Sequence, residues 1–331
     1  MNKPLKALAA AAAITFLASG LSACGSSSSS ADGDTQTINL GVEPWLGYAP
    51  WYIAQEKGYF EKYDLNVKIT SFDTDADFNA ALASDKINVG CVASHTALQL
   101  QENGIDSKIV LLLDASETAD AIISKTADSI ADLKGQQVAY EEGTTSDLLL
   151  NYALDQNGMS IDDIQKVPMD ADAAGAAVIA GKVPVAVTYE PYITEAKAKD
   201  ADLKTIYTGS EKEGLISDVF VAKTEFIDAN TDAMTKLAKA WGDSIDYYNS
   251  NTDDAQEIIA KNIGSKKADL ETAFAGVKYF GLEDNEEALT GDYVSSTLPA
   301  INKAAITAQI VKGDVDATNL VDATYVKNAL K

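Results

Sequence analysis

Carboxylates, aromatic rings and hydroxyls gather where the strand-like runs of this chain end. TINLGV is followed by Glu43, Trp45 and Tyr48, INVGCVA by Ser94 and His95, and IVLLLD ends on Asp114. Further on, QQVAY leads into Glu141, Glu142, Thr144, Thr145 and Ser146, Asp170 and Asp172 follow KVPM, and VPVAVTY ends on Tyr189 with Glu190 next. Asp218 opens one more run, DVFVAK. In open α/β sheets a ligand sits beyond the carboxyl ends of the strands. The candidate ligand-binding set is therefore Glu43, Trp45, Tyr48, Ser94, His95, Asp114, Glu142, Thr144, Thr145, Tyr189, Glu190 and Asp218.

Acidic groups at five separate strand exits, in a chain whose basic residues are all lysine, set a field that favours a cation. Arginine, the usual planar clamp for carboxylate, sulfonate and phosphate, is absent. Trp45 and Tyr189 would add cation-π attraction of roughly 0.5 to 2 kcal/mol each. A small nitrogen-rich group such as guanidinium, an amine or a pyrimidine base is the expected ligand, held by Glu142 with Glu43 and Asp114 as companions. The segment EEGTTSD argues the other way, since its glycine, hydroxyls and helix start are what an anion needs. Strand alternation sends Glu141 and Glu142 to opposite faces, so only one of them enters the site.

Composition narrows the classes. The chain has 331 residues, 46% of them hydrophobic, enough for one or two domains with real cores. A formal charge of −24 repels polyanions and argues against nucleic acid. One histidine, His95, and two cysteines, Cys24 and Cys91, supply no soft-metal ligand set, and Cys91 sits in an apolar strand-like run. G-x-S-x-G, P-loop and G-x-G-x-x-G patterns are absent, so no catalytic residue, metal or cofactor is expected. Tyr48, Trp51 and Tyr52 fit a helical spacing, which assigns Trp51 and Tyr52 to a core. Trp45 precedes that helix and faces either the site or a packed hinge.

The elements that must position these residues alternate. Residues 1–23 have the plan of a signal peptide, LSAC at Leu21 to Cys24 marks Cys24 for lipidation, and 24–36 is a serine-rich tether. From Thr37, β-α-β units repeat and then restart after SIADLKG, which predicts an α/β fold of two lobes. Residues 37–122 with 218–331 form the first lobe and 123–217 the second, with crossings near Ile122 to Lys125 and Thr208 to Asp218. The part beyond Thr231 is helical in pattern, without strands, and wraps on the first lobe.

The stretches GYAPWYIAQEKGYFEKYDLNVKI, FNAALASDKINVG, SIADLKGQQVAYEEGTTSDLLL and AAVIAGKVPVAVTYEPY resemble the extracellular substrate-binding lipoproteins of ABC importers, in the nitrate/sulfonate/taurine class to which the thiamine-pyrimidine proteins are also similar. The resemblance runs from about Thr37 to about Ala240. It implies a two-lobed type II periplasmic binding protein with two interlobe crossovers, closing on its ligand by a hinge. It further implies a monomer without enzymatic activity, lipid-anchored outside the bacterial cell membrane, with ABC permease and ATPase subunits as partners. Within that class the alternatives to a nitrogenous solute are a sulfonate, taurine or nitrate and, further off, a pyrimidine precursor or synthase-like activity.

Overall fold

The computed structural model describes residues 37–72 and 74–331. The signal peptide, Cys24 and the tether assigned above lie outside the described residues. Strands form where β-branched and aliphatic residues run together: β1 (Thr37–Val42), β2 (Asn66–Ser71), β3 (Val89–Ala93), β4 (Ser107–Ser116), β5 (Asp120–Ser124), β6 (Gln137–Tyr140), β7 (Gln165–Pro168), β8 (Val185–Tyr189), β9 (Lys204–Thr208), β10 (Ser217–Lys223) and β11 (Val277–Tyr279). Between and after them run α1 (Pro50–Glu56), α2 (Tyr59–Lys62), α3 (Asp75–Ala83), α4 (Ser94–Glu102), α5 (Thr145–Gln156), α6 (Ala171–Ile179), α7 (Tyr192–Lys199), α8 (Thr224–Ala229), α9 (Thr231–Ser250) and further helices to the C-terminus. None of the described helices is long and apolar enough to cross a membrane.

Two sheets result, in the orders β11-β4-β10-β3-β1-β2 and β7-β6-β8-β5-β9. Each has a parallel centre, β1 with β2 and β3 in one and β6 with β7 and β8 in the other. Each also takes in an interior strand of opposite direction: β10 lies antiparallel between β3 and β4, and β5 antiparallel between β8 and β9. These two strands belong to the crossings. The first crossing occupies residues 117–119, upstream of Ile122 to Lys125, because Asp120–Ser124 is already a strand of the second sheet. The second falls between Thr208 and Ser217. The crossings are laced together where Ser210 donates its N–H to Glu117 O at 2.8 Å and Ser116 to Ile216 O at 2.9 Å. A Cβ on Gly209 would stand 2.2 Å from the Ser116 carbonyl oxygen, so only glycine allows this approach.

The C-terminal part is not free of strands, since β11 pairs antiparallel with β4 at the sheet edge. The short run Val277–Tyr279 is only three residues long, too brief to register as alternation. Long-range packing joins this part to the first lobe. Trp51 of α1 is fully buried, its ring centroid 4.8 Å from Phe220 of β10 and 5.1 Å from Trp241 of α9. Tyr52 is half-buried against the same core. Phe78 of α3 lies over β1 and β3 at Gly41 and Gly90, where an added Cβ would fall 2.8 and 2.5 Å from its ring. These bare backbone positions let α3 sit down on the sheet and bring its N-terminus to the sheet's carboxyl edge.

Candidate functional site

The turn after β1 carries three of the side chains at issue. Trp45 N–H bonds back to Glu43 O at 2.7 Å and Tyr48 N–H to Trp45 O at 3.2 Å, so the segment folds tightly before α1 begins at Pro50. It is fixed from outside by β11, whose Tyr279 hydroxyl donates to Leu46 O at 2.9 Å. At Gly47 a Cβ would stand 2.0 Å from Asp114 Oδ2 and 2.5 Å from Trp45 Nε1. The missing side chain is what lets the turn lie against Asp114. Tyr48, buried, sends its hydroxyl to Asp218 Oδ1 at 3.0 Å.

Between the two sheets lies a cavity of about 430 Å³, the size of small-molecule sites generally. Glu43, Asp75 and Asp218 come to it from the first lobe and Asp120 and Glu141 from the second, and among the described residues no lysine lines it. Trp45 meets Tyr189 across the lobes, edge to face, with ring centroids 6.2 Å apart. Behind the wall, Asp114 is fully buried. It is the register partner of Asp218 on β10, so two carboxyl groups come together in a largely buried position. Both cannot ionise at ordinary cost. Burial, then the Asp218 charge, pushes Asp114 well above the usual carboxylate range. Asp218 itself is raised by burial to about 6, with hydrogen bonds from Asp114 and Tyr48 pulling against the rise.

The same cause acts around the cavity. Burial first and the neighbouring Asp75 second lift Glu43 to about 9, and its Oε1 has no donor. Asp120 rises to about 7 through burial, with Asp218 and Glu190 adding to the effect and Ser116 opposing it. His95, near the start of α4 and only 3% exposed, lines the cavity with an Nε2 that has no partner among the described residues, and burial lowers its pKa, against a smaller upward pull from Asp75. On the second lobe, Gly143 turns with φ +81°, Thr144 caps α5 by accepting from Ser146 N–H, and Thr145 and Ser146 follow in the first turn. All three hydroxyl residues line the cavity. Glu141 Oε2 accepts from Ala171 N–H at the start of α6 at 3.2 Å, which offsets part of the upward push of burial.

Of the residues singled out by sequence, Glu43, Trp45, Tyr48, His95, Thr144, Thr145, Tyr189 and Asp218 line the cavity. Four do not. Glu142 is exposed and accepts from Tyr140 OH at 3.2 Å, while its neighbour Glu141 takes the inward direction. Glu190 turns back to accept from Thr194 N–H and Oγ1 at 3.0 Å each, inside its own helix start. Ser94 is held below by Ser217 Oγ and Tyr293 OH, both at 2.8 Å. Asp114 stands behind Gly47 rather than in the lining.

Asp75 and Asp120 were not among the sequence candidates. Asp75, with Thr74 as the α3 cap, follows β2, and the strand-exit rule reaches it if applied to β2 as well. Asp120 escapes that rule because it begins a strand. β5 runs antiparallel to β8, so its amino end lies at the carboxyl edge of its neighbours, where Asp120 pairs with Tyr189. Among the described residues no cluster of three or more His, Cys, Asp or Glu is placed to hold a metal ion.

Two α/β lobes joined by two crossings, with a cavity between them, define the fold of the periplasmic binding proteins. The periplasmic aliphatic sulphonate binding protein of Escherichia coli has this fold with a TM-score of 0.74, at 18% identity over 86% of this chain and 91% of that one. The NMT1/THI5-like family model matches residues 45–255, and the chain belongs to that family. A candidate binding protein of Brucella abortus is 26% identical over 295 residues, 88% of this chain and 92% of its own. A 4-amino-5-hydroxymethyl-2-methylpyrimidine phosphate synthase of Aspergillus parasiticus is 24% identical over 233 residues, 66% of this chain and 67% of its own.

Proposed function

We propose that this chain is the solute-binding component of an ABC importer and captures a small nitrogen-containing cation between its lobes. The observation that carries the reading is the cavity itself: among the described residues its lining has five carboxylates from two lobes, the aromatic Trp45, Tyr48 and Tyr189, and no lysine. An occupant with several N–H donors and a positive charge would satisfy Glu43, Asp120 and Asp218 in their ionised forms. Trp45 and Tyr189 would cover its apolar or π face. No bond is made or broken. Binding energy is spent on closing the lobes, and the closed form docks on the permease. A lipid on Cys24 would keep the receptor beside its transporter, outside the cytoplasm.

One feature supports a second reading. The α5 start, with Thr144, Thr145 and Ser146 at the cavity, suits an anionic group, and the fold likeness to a sulphonate-binding protein points the same way. Calorimetry separates the two. The purified protein, titrated with guanidinium, methylammonium, a cationic aminopyrimidine and taurine, is expected to bind one of the cations. Removing a buried carboxylate from a cation costs on the order of 3 to 5 kcal/mol, so Glu43→Gln should weaken that binding by about a hundredfold or more. Glu142→Gln should leave it nearly unchanged. Tight taurine binding that survives Glu43→Gln would return the protein to the sulfonate branch.

A further inference from the structure

The carboxylates around the cavity do not come from one lobe. Asp75 sits at the α3 start and Asp218 at the β10 start on one side, Glu141 after β6 and Asp120 at the β5 start on the other. All four line one cavity, and no lysine is among its described lining residues. One buried group marks the space as built for an occupant: His95, 3% exposed and lining the cavity, whose Nε2 has no partner among the described residues.

We propose that Asp75 and Asp120 are specificity-determining residues that make closure depend on charge: facing Glu141 and Asp218 from the opposite lobe, they hold the empty lobes apart and let them meet only around a solute of formal positive charge. This rests on the cation reading above and extends it, because it makes the solute's charge, rather than its shape, the trigger for closing. Above about pH 7, where Asp120 and Asp218 give up their protons, like charges at close range repel, and a cation placed among them converts each repulsion into attraction. A neutral molecule of the same outline leaves the repulsion in place. The direction of the interlobe effect is visible in the acids themselves, since the Asp75 charge contributes to raising Glu141 and the Asp218 charge to raising Asp120.

Trp45 provides the readout. Of the three tryptophans, Trp51 and Trp241 are fully buried in the core, whereas Trp45 stands half-buried at the seam against Tyr189. Acrylamide quenching of the full-length protein, at about pH 8 where Asp120 and Asp218 are ionised, therefore follows the seam. Millimolar guanidinium should protect Trp45 in the wild type, and urea at the same concentration, planar and neutral, should not. In Asp75→Asn/Asp120→Asn the quenching should fall by about half with nothing bound, as the population shifts to the closed form, and guanidinium should add little. Asp75→Asn alone, at a half-buried helix start, should move the same way to a smaller extent. Equal quenching of the ligand-free wild type and both variants would overturn the proposal, as would equal protection by urea and guanidinium. If neither compound protects the wild type, the cation reading fails at these probes, while the ligand-free comparison still decides charge gating.

Discussion

Glu43, Asp120 and Asp218 keep their protons far above the ordinary carboxylate range, and this fixes the sign of a pH effect. Their pKa values rise on folding, Glu43 from 4.5 to about 9, Asp120 from 3.8 to about 7 and Asp218 from 3.8 to about 6. A raised folded-state pKa means that the folded form binds more protons over that interval, so stability falls as pH climbs through it. The contribution is complete below about pH 4, declines through the Asp218 and Asp120 values and is lost above that of Glu43. Ligand-free protein should therefore unfold at higher urea at about pH 5 than at about pH 8. The surface charge of −24 acts in the same direction but is screened by salt. The comparison made in about 0.5 M salt isolates the buried groups, and a flat profile there would contradict their protonation. These shifts were not legible in the sequence. Asp and Glu abound along the chain, and only burial distinguishes Asp218 from its exposed counterparts.

At the scale of elements, the site depends on glycines that allow close approach. Gly90 on β3 leaves room for the Phe78 ring, and Phe78 seats the helix whose first residue is Asp75. In Gly90→Ala the new Cβ would meet Phe78 Cζ at 2.5 Å, so α3 must lift or tilt. Overpacking of this kind costs about 1 to 3 kcal/mol. Thermal unfolding should show a drop of several degrees, and ligand affinity should fall with it as Asp75 leaves the cavity. A variant as stable and as tight-binding as wild type would show that α3 is not held this way. The alternation of strands and helices that makes the two lobes was readable from residue pattern alone. The antiparallel entry of β5 and the edge strand β11 were not, because direction and pairing are decided by partners distant in sequence.

For the whole molecule, the two lobes and their crossings present a cavity between them, and the proposed function gives the LSAC motif at Leu21 to Cys24 the role of a membrane anchor. Cys24→Ala should move the protein from the membrane fraction to the medium, because a secreted chain without acyl groups has no hold on a bilayer. Unchanged membrane retention and processing of the variant would exclude the anchor.

Composition and periodicity by themselves determined the class of molecule: a lysine-only, strongly acidic α/β chain with two lobes and polar strand exits. Those properties are local, since they follow from the identity of each residue and its neighbours within a few positions. Which carboxylates face the cavity was decided by the tertiary structure. Glu141 turns in where Glu142 turns out, Glu190 spends its oxygens on Thr194, and Asp114 withdraws behind Gly47. Asp75 and Asp120 enter instead, one carried by a helix seated on glycines and the other by a strand running against its neighbours. Side-chain direction at a strand exit depends on what the next element packs against, and that information lies in residues far along the chain.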